Sequence, residues 1–262
     1  MRKLLSSVSL LIASTVIIIS CSKTKDVSPE LISGDVLSKI SALGFSSANV
    51  VKVEEGYIVE GDIVLTNEML NSNPSQKYLV IANEEQYRTT NLVKGLPRVI
   101  KVSVDSRMGS TYVTATDEAI RRYNAENLQI TFQRVASGAD INIVRSGGNF
   151  LASAGFPTSG GQPYGQVKVN TSQLSGQPIN TIASVLAHEL GHCIGFRHTD
   201  YMNRSYSCGG SAVNEGASNV GAIHIPGTPT GPDSRSWMLS CIGSGQDRPF
   251  NNNDKSALNY LY

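Results

Sequence analysis

The segment His188-Glu189-Leu190-Gly191-His192-Cys193-Ile194-Gly195-Phe196-Arg197-His198 constrains this chain more than any other. It holds three of the four histidines in 262 residues, in the pattern H-E-x-x-H-x-x-G-F-x-H. The residues before it, Pro178 to Ala187 (PINTIASVLA), are mostly apolar and have no internal proline or glycine, so residues 179–194 read as one buried helix. Residues four apart on a helix lie one above the other, and His188 and His192 can therefore reach one metal ion. Glu189 is rotated by about 100° from His188 and faces the open side of that ion. Gly195 ends the helix, because glycine tolerates the left-handed conformation that turns a chain out of it. The turn brings His198 back as a third imidazole. Three protein ligands with one open position are the arrangement of a catalytic zinc, and imidazole suits zinc better than magnesium or calcium, which take oxygen.

The amino terminus reads as a targeting segment over residues 1–20. Arg2 and Lys3 form a short positive region, and Leu4 to Ser20 is apolar or small but too short to span a membrane comfortably. The sequence Ile18-Ile19-Ser20-Cys21 resembles the bacterial lipobox, which implies cleavage before Cys21 and lipidation of its thiol; the alternative is an ordinary signal peptide with an incidental cysteine. On the lipobox reading the protein is anchored rather than spanning, and it belongs to the bacterial cell envelope, as an outer-membrane lipoprotein or a secreted protein. Residues 21–30 are polar, contain Pro29 and read as a tether. A net charge of +1 with no basic block argues against nucleic acid as a partner. Cys193, Cys208 and Cys241 remain for an oxidising compartment. Cys208 and Cys241 both lie in loop-like sequence after the helix and are the favoured disulfide, which leaves Cys193 as a buried free thiol.

Periodicity organises the rest. Residues 31–45 have apolar positions at helical spacing, and Val50–Val53 with Tyr57–Leu65 read as a hairpin around Glu55-Gly56. Residues 66–73 read as a short helix. This region of about 65 residues is too small to build a large core alone. From Pro97 the pattern changes. Strands are expected at 98–105, 128–135, 139–145 and 165–170, with a helix over 111–127 between the first two. Residues 147–164 read as loop, and a long glycine-rich stretch with little regular pattern follows His198. A helix is expected from Phe250 to Tyr262. The order predicts an α+β fold, a mixed twisted sheet covered by helices. It gives a small amino-terminal region at 31–95, which only the family resemblance of its Val59–Ile63 segment implies to be a pro-region, and a zinc-bearing domain at 96–262.

These features resemble the metzincin zinc endopeptidases, whose motif H-E-x-x-H-x-x-G-x-x-H is followed by a methionine turn. His188, Glu189, His192, Gly195 and His198 match the motif, and Met238 in Ser236-Trp237-Met238-Leu239-Ser240 is similar to the methionine turn beneath the metal. Within that group, HELGHCIGFRHTD and NEGASNVGAIHIPGTP resemble the bacterial dual-action HEIGH, or protease B, metallopeptidases, with Leu190 in place of the isoleucine of the name. Thr199 follows the third histidine where astacins have glutamate, and no tyrosine stands two residues after Met238, so the tyrosine ligand of astacins is not implied. Val59-Glu60-Gly61-Asp62-Ile63 resembles the astacin pro-segment, with Val59 replacing phenylalanine. That likeness implies that Asp62 is a latency switch facing the metal.

The resemblance implies a metalloendopeptidase acting on protein or peptide substrates, with Glu189 as general base and an extended substrate against an edge strand within 147–170. Processing is expected between residues 66 and 98, where Arg88, Lys94 and Arg98 offer cleavage points. His224, in the long loop, is expected to pack there rather than to bind metal. The alternative is a surface lipoprotein that binds zinc without catalysis, against which the retained Glu189 speaks.

Overall fold

The computed structural model describes residues 31–43, 45–71, 86–212, 222–229, 231 and 233–262. The targeting segment, the tether and Cys21 lie outside the described residues. Ile32–Tyr262 forms one compact unit.

The unit begins with α1 (Gly34–Ala42), whose first turn is capped by the Ser33 hydroxyl accepting from the Val36 amide. Three antiparallel strands follow, β1 (Val51–Val53), β2 (Gly56–Val59) and β3 (Ile63–Thr66), in that spatial order, and then α2 (Asn67–Asn71). The second arm of the expected hairpin is thus broken in two. Glu60 (φ 55°) and Gly61 (φ 95°) both take left-handed conformations there, which reverses the chain within three residues. The region has a core of its own, with Ile40, Leu43, Phe45, Val59, Ile63, Leu65 and Leu70, but that core also contains Phe156 from far along the chain. Phe45 and Phe156 stack with ring centroids 6.0 Å apart.

The larger body follows. A two-residue strand, β4 (Tyr87–Arg88), precedes β5 (Arg98–Val104), α3 (Ser110–Asn124), β6 (Ile130–Arg134), β7 (Ile141–Ser146), β8 (Ala152–Ser153), β9 (Gln166–Asn170) and α4 (Ile179–Ile194). The five-stranded sheet has the order β6-β5-β7-β9-β8. Its first four strands are parallel, and β8 pairs antiparallel with β9 at the edge. The expected loop at 147–164 therefore contains that edge strand, too short to show a period of two. Burial alternates along β5, with Ile100 and Val102 inward. Helix α3 turns Ala115, Ala119, Ile120 and Tyr123 onto α4 and the sheet.

Helix α4 is buried from Thr181 to Ile194, as its apolar run required. Beyond it lie β10 (Phe196–Arg197), a one-turn α5 (Ser205–Cys208), β11 (Ile223–His224) and α6 (Asn252–Leu261). Strand β4 is sandwiched between β10 and β11, which draws part of the long stretch after His198 into a small sheet. An Asn251–Asp254 capping box starts α6, and the Tyr262 hydroxyl at the chain end donates to the Ile194 carbonyl at the end of α4.

A disulfide joins Cys208 to Cys241 across 33 residues of sequence, and Cys193 is a buried free thiol. Closing a loop of that length removes conformations from the unfolded chain, an effect on the order of 3–4 kcal/mol. Replacing both cysteines by serine should lower stability by that amount in a urea titration. An unchanged midpoint would mean that the hydrogen bonds from Ser207 and Ser240 to Asp200 hold this loop unaided.

Candidate active site

Helix α4 places His188 and His192 on one face, a turn apart. Their outer ring nitrogens are fixed by backbone carbonyls: His188 Nδ1 lies 3.0 Å from the Trp237 oxygen, and His192 Nδ1 lies 2.8 Å from the Phe196 oxygen. A carbonyl only accepts, so both Nδ1 atoms carry the hydrogen and both Nε2 lone pairs point inward. Gly195 takes φ 110° and ends the helix, after which β10 carries the chain back to His198. His198 Nε2 comes within 3.2 Å of His192 Nε2.

A fourth group arrives from the amino-terminal meander. Asp62 Oδ2 lies 3.2 Å from His198 Nε2 and 3.5 Å from His188 Nε2. The ligand atoms of Asp62, His188, His192 and His198 all fall within 4.8 Å of one another. Lone pairs crowded this closely in a buried space repel one another unless a cation lies between them. His188 Nε2, Asp62 Oδ1 and Glu189 Oε2 are buried there without hydrogen-bond partners. Three imidazole nitrogens and a carboxylate oxygen around these orphaned atoms fit a zinc ion.

The electrostatics separate the two carboxylates. Burial pushes the Glu189 carboxyl well above the usual range, and the negative charge of Asp62 adds to this. Burial would raise Asp62 too, but the surrounding imidazoles, His198 foremost, hold it well below its ordinary value. Burial, with the neighbouring His188 and His198, holds His192 well below the usual imidazole range, as a neutral ligand requires.

The floor of the site is the Ser236–Leu239 turn. Met238 is fully buried, its carbonyl accepts from the Thr199 amide at 3.0 Å, and the neighbouring Trp237 carbonyl holds His188. A Cβ on Gly191 would meet Met238 Sδ at 2.6 Å, Trp237 Nε1 at 3.2 Å and Tyr123 Oη at 3.3 Å. Gly191 is therefore the gap that lets α4 settle on this turn, a role that its place between the ligands did not reveal.

A second feature was also not read from the sequence. Arg197, between the second and third histidines, has a fully buried side chain and binds the equally buried Glu60, Nη2 to Oε2 at 2.6 Å. Its guanidinium lies 4.5 Å above the Phe45 ring. A Glu two residues ahead of Asp62 and an Arg one residue ahead of His198 gave the only hint of the pair. His224 lies on β11, 3.0 Å from the Thr228 hydroxyl and beside Tyr87, and is not part of the cluster.

Three imidazoles and the carboxylate of Asp62 converge on one point where they could hold a metal ion, with Glu189 beside them on the same helix as His188 and His192. The chain belongs to the dual-action HEIGH metallo-peptidase family, whose sequence model matches residues 57–262. It is a zinc metallopeptidase, and its substrates are proteins or peptides. No curated protein matches its sequence significantly. Among solved structures, myroilysin is similar over 66% of this chain and 96% of its own, at 16% identity and a TM-score of 0.45. High choriolytic enzyme 1, a hatching enzyme zinc-protease from Oryzias latipes (medaka fish), is similar over 62% of this chain and 88% of its own, at 18% identity and a TM-score of 0.36.

Gly191→Ala should push α4 away from Met238 and spread the histidines. Zinc affinity is expected to fall by about 10-fold or more, read by competition with a chromogenic chelator. Unchanged affinity would show that the turn is free to yield.

Proposed function

We propose that this protein is a lipid-anchored zinc metalloendopeptidase of the bacterial cell envelope, made as a latent zymogen, with Glu189 as its general base. The observation that carries the latency is the position of Asp62 within the ligand cluster. Asp62 is also tied to the edge of the main sheet: its carbonyl accepts from the Ala154 amide at 3.0 Å, and the Val64 amide donates to the Ala154 carbonyl at 2.7 Å. Ile63 and Ala154 form a parallel bridge. Extended peptides commonly bind by adding a strand to such an edge, and residues 62–64 already take that seat beside β8. The buried Arg197–Glu60 pair adds a second hold. Removing one partner of such a pair costs about 3–5 kcal/mol, so the pro-segment leaves as a unit.

In the proposed mechanism the departure of Asp62 leaves room beside the three histidines for water and substrate. Zinc, when bound by His188, His192 and His198, supplies Lewis-acid chemistry. Glu189 Oε2, unpartnered in the site, takes a proton from the attacking water. It then delivers that proton to the leaving amine. The Trp237 and Phe196 carbonyls keep the imidazoles oriented throughout.

We place the end of the pro-region ahead of Gln86. The Gln86 side chain is buried and donates to Asp254 at 2.5 Å and to the Ser236 hydroxyl at 3.1 Å, and Arg88 and Arg98 lie within strands of the protease body. No helix among the described residues is long and apolar enough to cross a membrane.

Glu189→Gln should retain zinc while kcat/KM on casein falls by at least about 10²-fold, whereas Asp62→Ala should cleave casein without the lag of the wild-type chain. A fully active Glu189→Gln protein would remove the base assignment, and an unchanged lag in Asp62→Ala would remove the switch. Cys21→Ser should move the protein from the membrane to the soluble fraction; retention at the membrane would refute the anchor.

A further inference from the structure

Beside the metal centre lies a cavity of about 220 Å³. Val185, Trp237, Leu239 and Ile242 give it apolar walls, and His188 and Glu189 open onto it from α4. Arg248 also lines it. Its guanidinium makes one hydrogen bond, from Nη1 to the Cys241 carbonyl at 3.0 Å, while its backbone amide is held by the Ser184 hydroxyl at 2.8 Å.

Among the described residues no carboxylate lies within 4 Å of that guanidinium, and each acidic side chain nearby is engaged elsewhere. Asp247 binds Arg122 at 2.9 Å. Asp200 accepts from the amide and hydroxyl of Ser240 and from the Ser207 hydroxyl. Asp254 accepts from Gln86, Trp237 and Asn251. The other buried arginines behave differently: Arg122 is paired with Glu118 and Asp247, and Arg197 with Glu60. Asp200 and Asp254 act on the Arg248 charge from a distance, after the burial that disfavours it; an arginine keeps its charge even so, and with only a carbonyl in hydrogen-bond contact its remaining donors have capacity for an anion. The planar group also offers paired donors that match a carboxylate.

We propose that Arg248 is a specificity-determining residue, and that this cavity takes an acidic substrate side chain, glutamate above all, from a residue flanking the scissile bond. The apolar walls receive the methylenes and Arg248 receives the carboxylate. The position of the cavity against His188 and Glu189 puts that side chain next to the reacting carbonyl. The inference rests on peptides entering the cleft that Asp62 now occupies.

The test is a matched pair of peptide hydroxamates, one with glutamate and one with glutamine beside the zinc-chelating group, titrated calorimetrically into zinc-loaded, processed protein. The glutamate compound should bind about 10- to 100-fold more tightly. Arg248→Met should erase that ratio, and Arg248→Glu should transfer the preference to a lysine compound, a gain that an unfolded variant cannot show. Equal binding of the pair by the wild type, or a ratio that survives in Arg248→Met, would overturn the proposal. Binding does not require turnover, so the two readings separate. A glutamate preference in a protein that cleaves no peptide would sink the peptidase mechanism and leave the cavity assignment standing. Cleavage without the preference would do the reverse.

Discussion

Trp237 ties the metal ligands to the rest of the molecule. Its carbonyl holds His188, its amide donates to Asp254 on α6 at 3.2 Å, and its indole donates to the Tyr123 hydroxyl at 3.3 Å. Tyr123 passes the connection on, donating to the Ala187 carbonyl of α4 at 2.7 Å. The turn beneath the metal is thus bonded to α3, α4 and α6 together. This works only because Gly191 leaves room for Met238 against the helix. A zinc site needs its ligands held within a few tenths of an ångström, and a single imidazole on a free helix would not be. Here the orientation of each helix-borne imidazole is set by a carbonyl that is itself locked in the core.

The same burial governs the chemistry. Two carboxylates face one cluster, and their surroundings drive their proton affinities apart: Glu189 up, through burial and the charge of Asp62, and Asp62 down, through the imidazoles. Such divergence is how one site obtains a proton carrier and a permanent anion at the same pH. With Asp62 in place, the anion stands in the ligand set. On the proposed zymogen reading, loss of Asp62 would also take away the charge that, after burial, raises Glu189.

How much of this was legible in the sequence depended on whether the cause was local. Helix α4, its limits at Ile179 and Ile194, the inward histidines and the turn at Gly195 follow from spacing within about twenty residues. Strands β5, β6, β7 and β9 and helices α3 and α6 also announced themselves by period, and with them the α+β class. The two-residue strands did not. β4, β8, β10 and β11 are too short to carry a period, and β4 finds its partners more than a hundred residues away in β10 and β11. The break at Glu60-Gly61 was hidden because glutamate rarely takes a positive φ. The Glu60 side chain there turns inward, onto the distant Arg197 and the Ser46 amide.

That ion pair carries the last step of the argument. Glu60 accepts a strained backbone and full burial so that its carboxylate meets Arg197, and the same turn aims Asp62 at the histidines. Arg197 in turn sits between two ligands, on the strand that returns His198. The metal site and the segment that covers it are therefore built from the same few residues: neither the reach of Asp62 nor the strain at Glu60 has a local explanation. Phe156 joins the two regions in the same way, stacking on Phe45 from one side and meeting the edge of His192 with centroids 5.6 Å apart on the other. Loss of the amino-terminal meander would uncover Phe156, Arg197 and the edge at Ala154 together. An apolar ring, a cation and a free strand edge around a zinc ion are what an extended peptide needs in order to bind.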